Sequence, residues 1–220
     1  MSKIHILSTK ILSSVQKEEL IKEDFEVTEA NFIKTKSSDF DLKEINDNLI
    51  FTSQNAVQSI LLHPKNGELK SKNVFCVGLK TKALLEENGF TVEVYVDYAS
   101  DLAEIITLIY GKQSYTFFSG NLRKETLPKA LKTAKVNFNE IQVYETTLTP
   151  HKIKTKVDAI LFFSPSGVES YLAENKIKNE ICFCIGETTA EALEKTTRNI
   201  IVAEQPSVEN VIEDVIAEYK

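Results

Sequence analysis

Residues 50–61 read IFTSQNAVQSIL and residues 161–172 read LFFSPSGVESYL, two versions of one pattern. Phe51, Ser53, Val57, Ser59 and Leu61 recur as Phe162, Ser164, Val168, Ser170 and Leu172, at a constant offset of 111 residues. Each stretch passes from an apolar run, through a serine, into a segment of helical period. A second match follows each of these. VFCVGLKTKALLE (74–86) parallels CFCIGETTAEALE (182–194), with Gly78, Thr81 and Leu85 against Gly186, Thr189 and Leu193. The offset is now 108, so the intervening loops differ by three residues. A repeat on this scale predicts two lobes of like construction.

Outward from the repeat, short β-rich runs alternate with helical segments along the whole chain. The runs are 4–8, 25–33, 48–53, 74–78, 91–96, 115–120, 141–146, 159–164, 181–186 and 199–203. Helical candidates lie at 79–88, 100–110, 124–134, 187–195 and 207–218, the second and last opened by Ser100 and Ser207. This alternation predicts an α/β fold of mostly parallel sheets flanked by helices. Several runs are apolar throughout, as strands covered on both faces should be. Two runs precede the first repeat, and the first repeat carries an extra strand and helix. The repeat therefore suggests that residues 1–35 pair with 149–220, while 36–148 form an inserted lobe. The chain would cross twice, near Lys34–Ser38 and near Tyr144–Pro150, making a two-stranded hinge with a cleft.

Composition narrows the function. A formal net charge of −6 over 220 residues gives no field to draw in nucleic acid or an anionic membrane. Arginine occurs only at 123 and 198, leaving few seats for an arginine clamp on an anion. Cys76, Cys182 and Cys184 all lie inside apolar runs and read as reduced core thiols. No cationic, apolar leader opens the sequence and no apolar run reaches membrane-spanning length, so the expectation is a cytoplasmic protein.

The residues that carry chemistry follow the strands. FTSQNAV, CVGLKT, FFSGNL, FFSPSGV and CIGETT each place Ser, Thr, Asn or Gly between a strand and the next helix. Such residues cap helix N-termini, and four of the seven glycines (Gly78, Gly120, Gly167 and Gly186) fall here, where a ligand can approach the backbone. In a parallel sheet these junctions share the carboxyl edge, where α/β folds bind ligands and helix amides favour anions. The expectation is an anion-binding cleft without a fixed cation cluster. No G-x-G-x-x-G or Walker loop occurs, which disfavours a nucleotide-dependent transferase. His5, His63 and His151 stand in unrelated contexts, so no metal site is expected. FFSPSGV lacks the G-x-S-x-G spacing of a nucleophile elbow, and its serines read as donors.

LIFTSQNAV, VFCVG, VYETT, ILFFSPSGV and CIGETTAEAL, in this order and spacing, resemble the uroporphyrinogen-III synthase (HemD) family over essentially the whole chain. The resemblance implies the discontinuous two-lobe assignment and a substrate, the linear tetrapyrrole hydroxymethylbilane, with carboxylate arms on every ring. Loss of its terminal hydroxyl gives an azafulvene, and attack by the far pyrrole at its substituted carbon gives a spiro intermediate. This fragments and recloses with that ring inverted. Positioning dominates such a task, aided by one general acid. By the same resemblance Thr52, Ser53 and Asn55, then Ser164, Ser166 and Gly167, then Gly186, Thr188 and Thr189 match binding junctions. Gly78, Ser119 and Gly120 lie at the equivalent turns, and Tyr144 matches the tyrosine proposed to donate a proton to the departing hydroxyl.

Two departures stand out. Ser8, Thr9 and Lys10 replace a frequent Arg-Pro, and Ala56 stands where glycine is frequent. The implied enzyme needs no cofactor or metal, acts as a monomer, and allows a transient contact with the preceding enzyme of the pathway. The rival expectation is a non-catalytic two-lobed binding protein for a small polycarboxylate or sugar, which shares the repeat but has no need of Tyr144.

Overall fold

The structure is a computed structural model that describes residues 3–220. In chain order the elements begin with β1 (His5–Ser8), α1 (Ser14–Lys22), β2 (Glu26–Glu29) and β3 (Ile33–Ser37). They continue with β4 (Asn48–Phe51), α2 (Gln54–Leu62), β5 (Asn73–Val77), α3 (Leu79–Glu87), β6 (Thr91–Val96) and α4 (Ala99–Leu108). β7 (Ser114–Gly120), α5 (Thr126–Thr133) and the long β8 (Asn137–Leu148) follow. The chain closes with β9 (Ala159–Phe162), α6 (Pro165–Glu174), β10 (Ile181–Cys184), α7 (Glu187–Glu191), β11 (Ile200–Val202) and α8 (Val208–Tyr219).

Contacts divide the chain into two units, Met1–Lys34 with Thr147–Lys220, and Thr35–Thr146. The first holds a sheet of order β11-β10-β9-β1-β2 in which every neighbouring pair is parallel. The second sheet has the order β3-β8-β7-β4-β5-β6, parallel from β8 to β6. β3 runs antiparallel to β8, since Thr149 N–H meets Phe32 carbonyl at one end and Ser38 N–H meets Val143 carbonyl at the other.

Each sheet is covered on both faces, and one short apolar strand feeds both. In β9, Ala159 and Leu161 join Leu20, Val211, Ile212 and Val215 of α1 and α8, while Ile160 and Phe162 join Val168 and Tyr171 of α6. In β4, Leu49 and Phe51 pack on Val57, Ile60 and Leu85, while Ile50 packs with Leu102, Ile106 and Leu131. All eight residues of these two strands are buried, which is why neither shows alternation in sequence. Truncating a fully buried ring such as Phe162 to alanine is expected to cost about 3–5 kcal/mol.

Four expectations need correction. The run at 25–33 is two strands, because after β2 the chain turns where Ala30 N–H meets the Ser8 carbonyl and Phe32 N–H the Thr9 carbonyl. Phe32 is fully buried there and stacks on His151, and β3 leaves for the other sheet. Ser207 caps α8 through Asn210 N–H, but Ser100 lies inside α4, whose N-cap is Tyr98. α7 ends at Glu191, well short of 195. Finally, Ser119 and Gly120 cap no helix: both belong to β7, and α5 begins at Thr126 with Glu125 as its N-cap. The histidines do structural work, His5 bonding Thr28, His63 stacking on Phe40 and His151 on Phe32. Among the described residues no helix is long and apolar enough to cross a membrane, and no cluster of metal-binding side chains occurs.

Candidate active site

In the first unit three neighbouring strands, β10, β9 and β1, end in turns at one sheet edge. After β9, Ser164 is the N-cap of α6: its hydroxyl accepts the Gly167 N–H at 3.0 Å and lies 3.1 Å from the Ser166 hydroxyl. Pro165 starts the helix at a position where its missing N–H costs nothing. A Cβ on Gly167 would come within 3.2 Å of Ser164 Oγ and 3.8 Å of Thr9 Oγ1, so glycine lets this turn close on itself beside the turn after β1. After β10, Gly186 opens α7 with an extended backbone, and a Cβ there would meet nothing within 4 Å. Thr188 is exposed beside it, whereas Thr189 is buried. After β1, Thr9 donates to the Leu161 carbonyl, and the Lys10 ammonium sits 5.5 Å from the centre of the Phe163 ring. The lysine that stands in place of the frequent arginine is thereby placed next to the Ser164 turn.

In the second unit the carboxyl edge of its own sheet carries, in spatial order, Tyr144 on β8, Gly120 on β7, Thr52 and Ser53 after β4, and Gly78 after β5. Ser53 caps α2 by accepting the Asn55 N–H at 3.2 Å. Ala56 is buried in the first turn, at the place Gly167 takes in the other unit. Gly78 has φ 90°, a conformation that favours glycine, and its N–H is spent on the Val96 carbonyl. Tyr144 is half-buried against the apolar cluster of β4, α2 and α3, with its ring lying on Gly120.

Sequence reasoning placed Ser119 with the binding hydroxyls, but the structure turns it away. Ser119 is buried and donates to Glu140 Oε1 at 2.6 Å. Glu140 is gripped by Arg123 through Nε at 2.6 Å and Nη2 at 3.0 Å, and Arg123 also pairs with Glu125. Burial pushes the Glu140 carboxyl up, yet the bonds from Arg123 and Ser119 outweigh it and hold it below the ordinary carboxylate range. Those same bonds to Glu140 and Glu125 raise Arg123 further above its ordinary value. These groups line a polar depression of about 460 Å³ together with Gly120 and Asn121. Their meeting depends on β7 lying beside β8, which no local pattern announces. A separate hollow of about 820 Å³ opens in the first unit among Ile4, Asp158, Asn175 and Tyr219. It flanks the start of β1 and of β10, away from the capped turns.

Parallel sheets wound on both faces, with hydroxyl-capped, glycine-bearing turns along the carboxyl edge, define an α/β protein of the class whose strand ends can receive an anionic ligand. The sequence model of the family described as uroporphyrinogen-III synthase HemD matches residues 14–213, and the chain belongs to that family. A porphyrin biosynthesis protein HemD from Ruminiclostridium josui is 23% identical in an alignment 188 residues long that covers 76% of this chain and 37% of the relative. The chain thus spans well under half the length of that relative. Among solved structures, uroporphyrinogen-III synthetase from Helicobacter pylori 26695 matches with a TM-score of 0.73 at 20% identity, covering 99% of this chain and all of the other. A mutant uroporphyrinogen III synthase from Thermus thermophilus matches with a TM-score of 0.71 at 15% identity over the same shares. At these identities the likeness establishes the fold.

Proposed function

We propose that the chain is a uroporphyrinogen-III synthase, closing hydroxymethylbilane to uroporphyrinogen III with inversion of ring D and loss of water. The observation that carries this reading is the family match over residues 14–213. The turns supply what the substrate asks for. Thr52, Ser53 and Asn55 in one unit, and Ser164, Ser166, Gly186 and Thr188 in the other, offer amides and hydroxyls to carboxylate arms, while Gly167, whose N–H Ser164 accepts, and the buried Thr189 shape their turns. Helix N-termini favour such anions by about 0.3–1 kcal/mol each when exposed. Gly78 and Gly120 shape the edge, and Lys10 adds a point charge.

The Tyr144 hydroxyl gives its proton to the terminal hydroxyl of the bilane as the carbon–oxygen bond breaks, releasing water. The pyrrole N–H then returns a proton to the phenolate, leaving a neutral azafulvene. Attack by the substituted carbon of the far ring, fragmentation and reclosure are rearrangements within the substrate. The protein's part there is to hold its arms.

Residues 1–35 with 149–220 and residues 36–148 are the two domains in this reading, supported by the contact division at Lys34/Thr35 and Thr146/Thr147. The working form is a cytoplasmic monomer without cofactor or metal. Three buried, unbridged cysteines support the reducing compartment. The lability of the bilane supports a transient contact with the enzyme that produces it.

The test is to generate hydroxymethylbilane in situ, add the protein, oxidise, and resolve the porphyrin isomers. Isomer III is expected to dominate. Isomer I alone, at the spontaneous rate, would leave a two-lobed binding protein.

A further inference from the structure

We propose that Gly120 and Asn121 are positioning residues for Tyr144, fixing where its hydroxyl sits; this rests on the reading of Tyr144 as the proton donor. A Cβ built on Gly120 would overlap Cζ and Cε2 of the Tyr144 ring and come within 2.8 Å of its hydroxyl oxygen. The tyrosine therefore occupies the space a side chain would take. Backbone strain is not the reason for glycine here, because only Gly78 and Gly89 among the glycines have positive φ. Space alone is what Gly120 contributes.

Two further features hold the ring in that space. Pairing between β7 and β8 is regular up to Ser119 opposite Gln142, then skips Val143 so that Gly120 faces Tyr144. Such an irregularity re-aims a side chain. Just beyond it, the Asn121 side chain closes a two-point clamp on the backbone of β8. Its Oδ1 accepts the Thr146 N–H at 2.8 Å and its Nδ2 donates to the Thr146 carbonyl at 3.1 Å. Tyr144 is thus bracketed: Gly120 lies under the ring, and Asn121 fixes the strand two residues further on.

A Cβ at position 120 meets the far end of a side chain and not backbone, so the fold should survive Gly120→Ala while the ring is displaced. With the purified protein, Gly120→Ala is expected to lower kcat at least about tenfold, part of the roughly 100-fold or greater loss that removal of a general acid brings, with KM for hydroxymethylbilane little changed. In a Tyr144→Phe background the same change should cost nothing more, because no hydroxyl remains to misplace. Asn121→Ala, an exposed site that adds no bulk, should give a smaller loss of the same kind. In protein labelled with ¹³C at tyrosine Cζ, the Tyr144 resonance, identified by its loss in Tyr144→Phe, should shift in Gly120→Ala.

An unmoved resonance in Gly120→Ala would overturn the role of Gly120, and unchanged turnover in Asn121→Ala the role of Asn121, while leaving Tyr144 in place. A loss from Gly120→Ala that is equally large in the Tyr144→Phe background would also overturn the role of Gly120. Wild-type turnover in Tyr144→Phe would remove the proton-donor reading itself, and the positioning role with it.

Discussion

Ser53 and Ser164 occupy matching places in the two units, yet their turns are finished differently. Ser164 caps through Gly167 N–H, touches Ser166, and has a proline next to it and a glycine beneath it. Ser53 caps one residue earlier, through Asn55 N–H, with Ala56 where the other unit has glycine. The neighbouring turns differ in the opposite sense. Gly78 sits at φ 90°, where only glycine is at ease, with its amide already used, whereas Gly186 is extended, with open space where a side chain would stand. One supersecondary unit, duplicated, has thus been specialised. The first unit leaves open space at Gly186, and the second spends part of that freedom on holding its own backbone at Gly78 and on seating Tyr144.

The largest expected effect belongs to the residue with no counterpart in the first unit. Tyr144→Phe should lower kcat roughly 100-fold while KM stays near its starting value, as removal of a positioned acid does. Steady-state kinetics on enzymatically generated bilane decide this, and an unchanged kcat would leave a site that works by conformation alone.

Next comes the matched pair of glycines. Gly78→Ala should cost about 1–3 kcal/mol of stability, because alanine must adopt a backbone region it disfavours. Gly186→Ala should change stability by less than about 0.5 kcal/mol, as at an unstrained open position, yet raise KM several-fold. Chemical denaturation and kinetics on both variants separate the two glycines. Equal stability losses would erase the difference between the turns.

The caps should follow. Ser164→Ala and Ser53→Ala each remove a side-chain acceptor from a helix N-terminus, a loss of about 1 kcal/mol. The greater cost is expected at Ser164, where Gly167 and Ser166 both lean on it. Thermal unfolding of the two variants reads the order, and a larger loss at Ser53 would reverse the account of how the turns are built.

The smallest effect is electrostatic. Glu140 is held below its ordinary value of 4.5, so its pairing contributes stability above that pH and loses it as the pH falls through the lowered value. Wild type should therefore exceed Glu140→Gln in stability at pH 7 and converge on it in acid. A difference that grows on acidification would contradict the pairing seen with Arg123. The thiols offer a gauge of each unit, since burial pushes Cys76 in one and Cys182 and Cys184 in the other up to about 12. Native protein at pH 8 should resist alkylation, and the order in which the three cysteines react on partial unfolding reports which unit opens first.

The sequence made visible whatever is local. IFTSQNAVQSIL and LFFSPSGVESYL carry apolar runs, caps and helix starts within twelve residues, and those signals survive folding unchanged. Ser119 misled because FFSG looks like the other junctions, while β7 continues to Gly120 and turns the serine toward Glu140. The 25–33 run misled because β-rich residues continue across a break made by the packing of Phe32 on His151, residues far apart in the chain. Gly120 lay in view as a turn glycine. Its contact with Tyr144 depends on a skipped register between strands, which only the paired sheet displays.

Glycine-selective ¹⁵N labelling tests the carboxyl-edge site most directly, because the seven glycines divide by location. Gly78, Gly120, Gly167 and Gly186 end strands or open helices at that edge, whereas Gly67, Gly89 and Gly111 lie in the segments that lead into β5, β6 and β7. On titration with uroporphyrinogen III under reducing, anaerobic conditions, the first four resonances should shift and the other three should stay. Movement of Gly67, Gly89 and Gly111 with the edge glycines unmoved would place the ligand at the opposite ends of the strands and contradict the account.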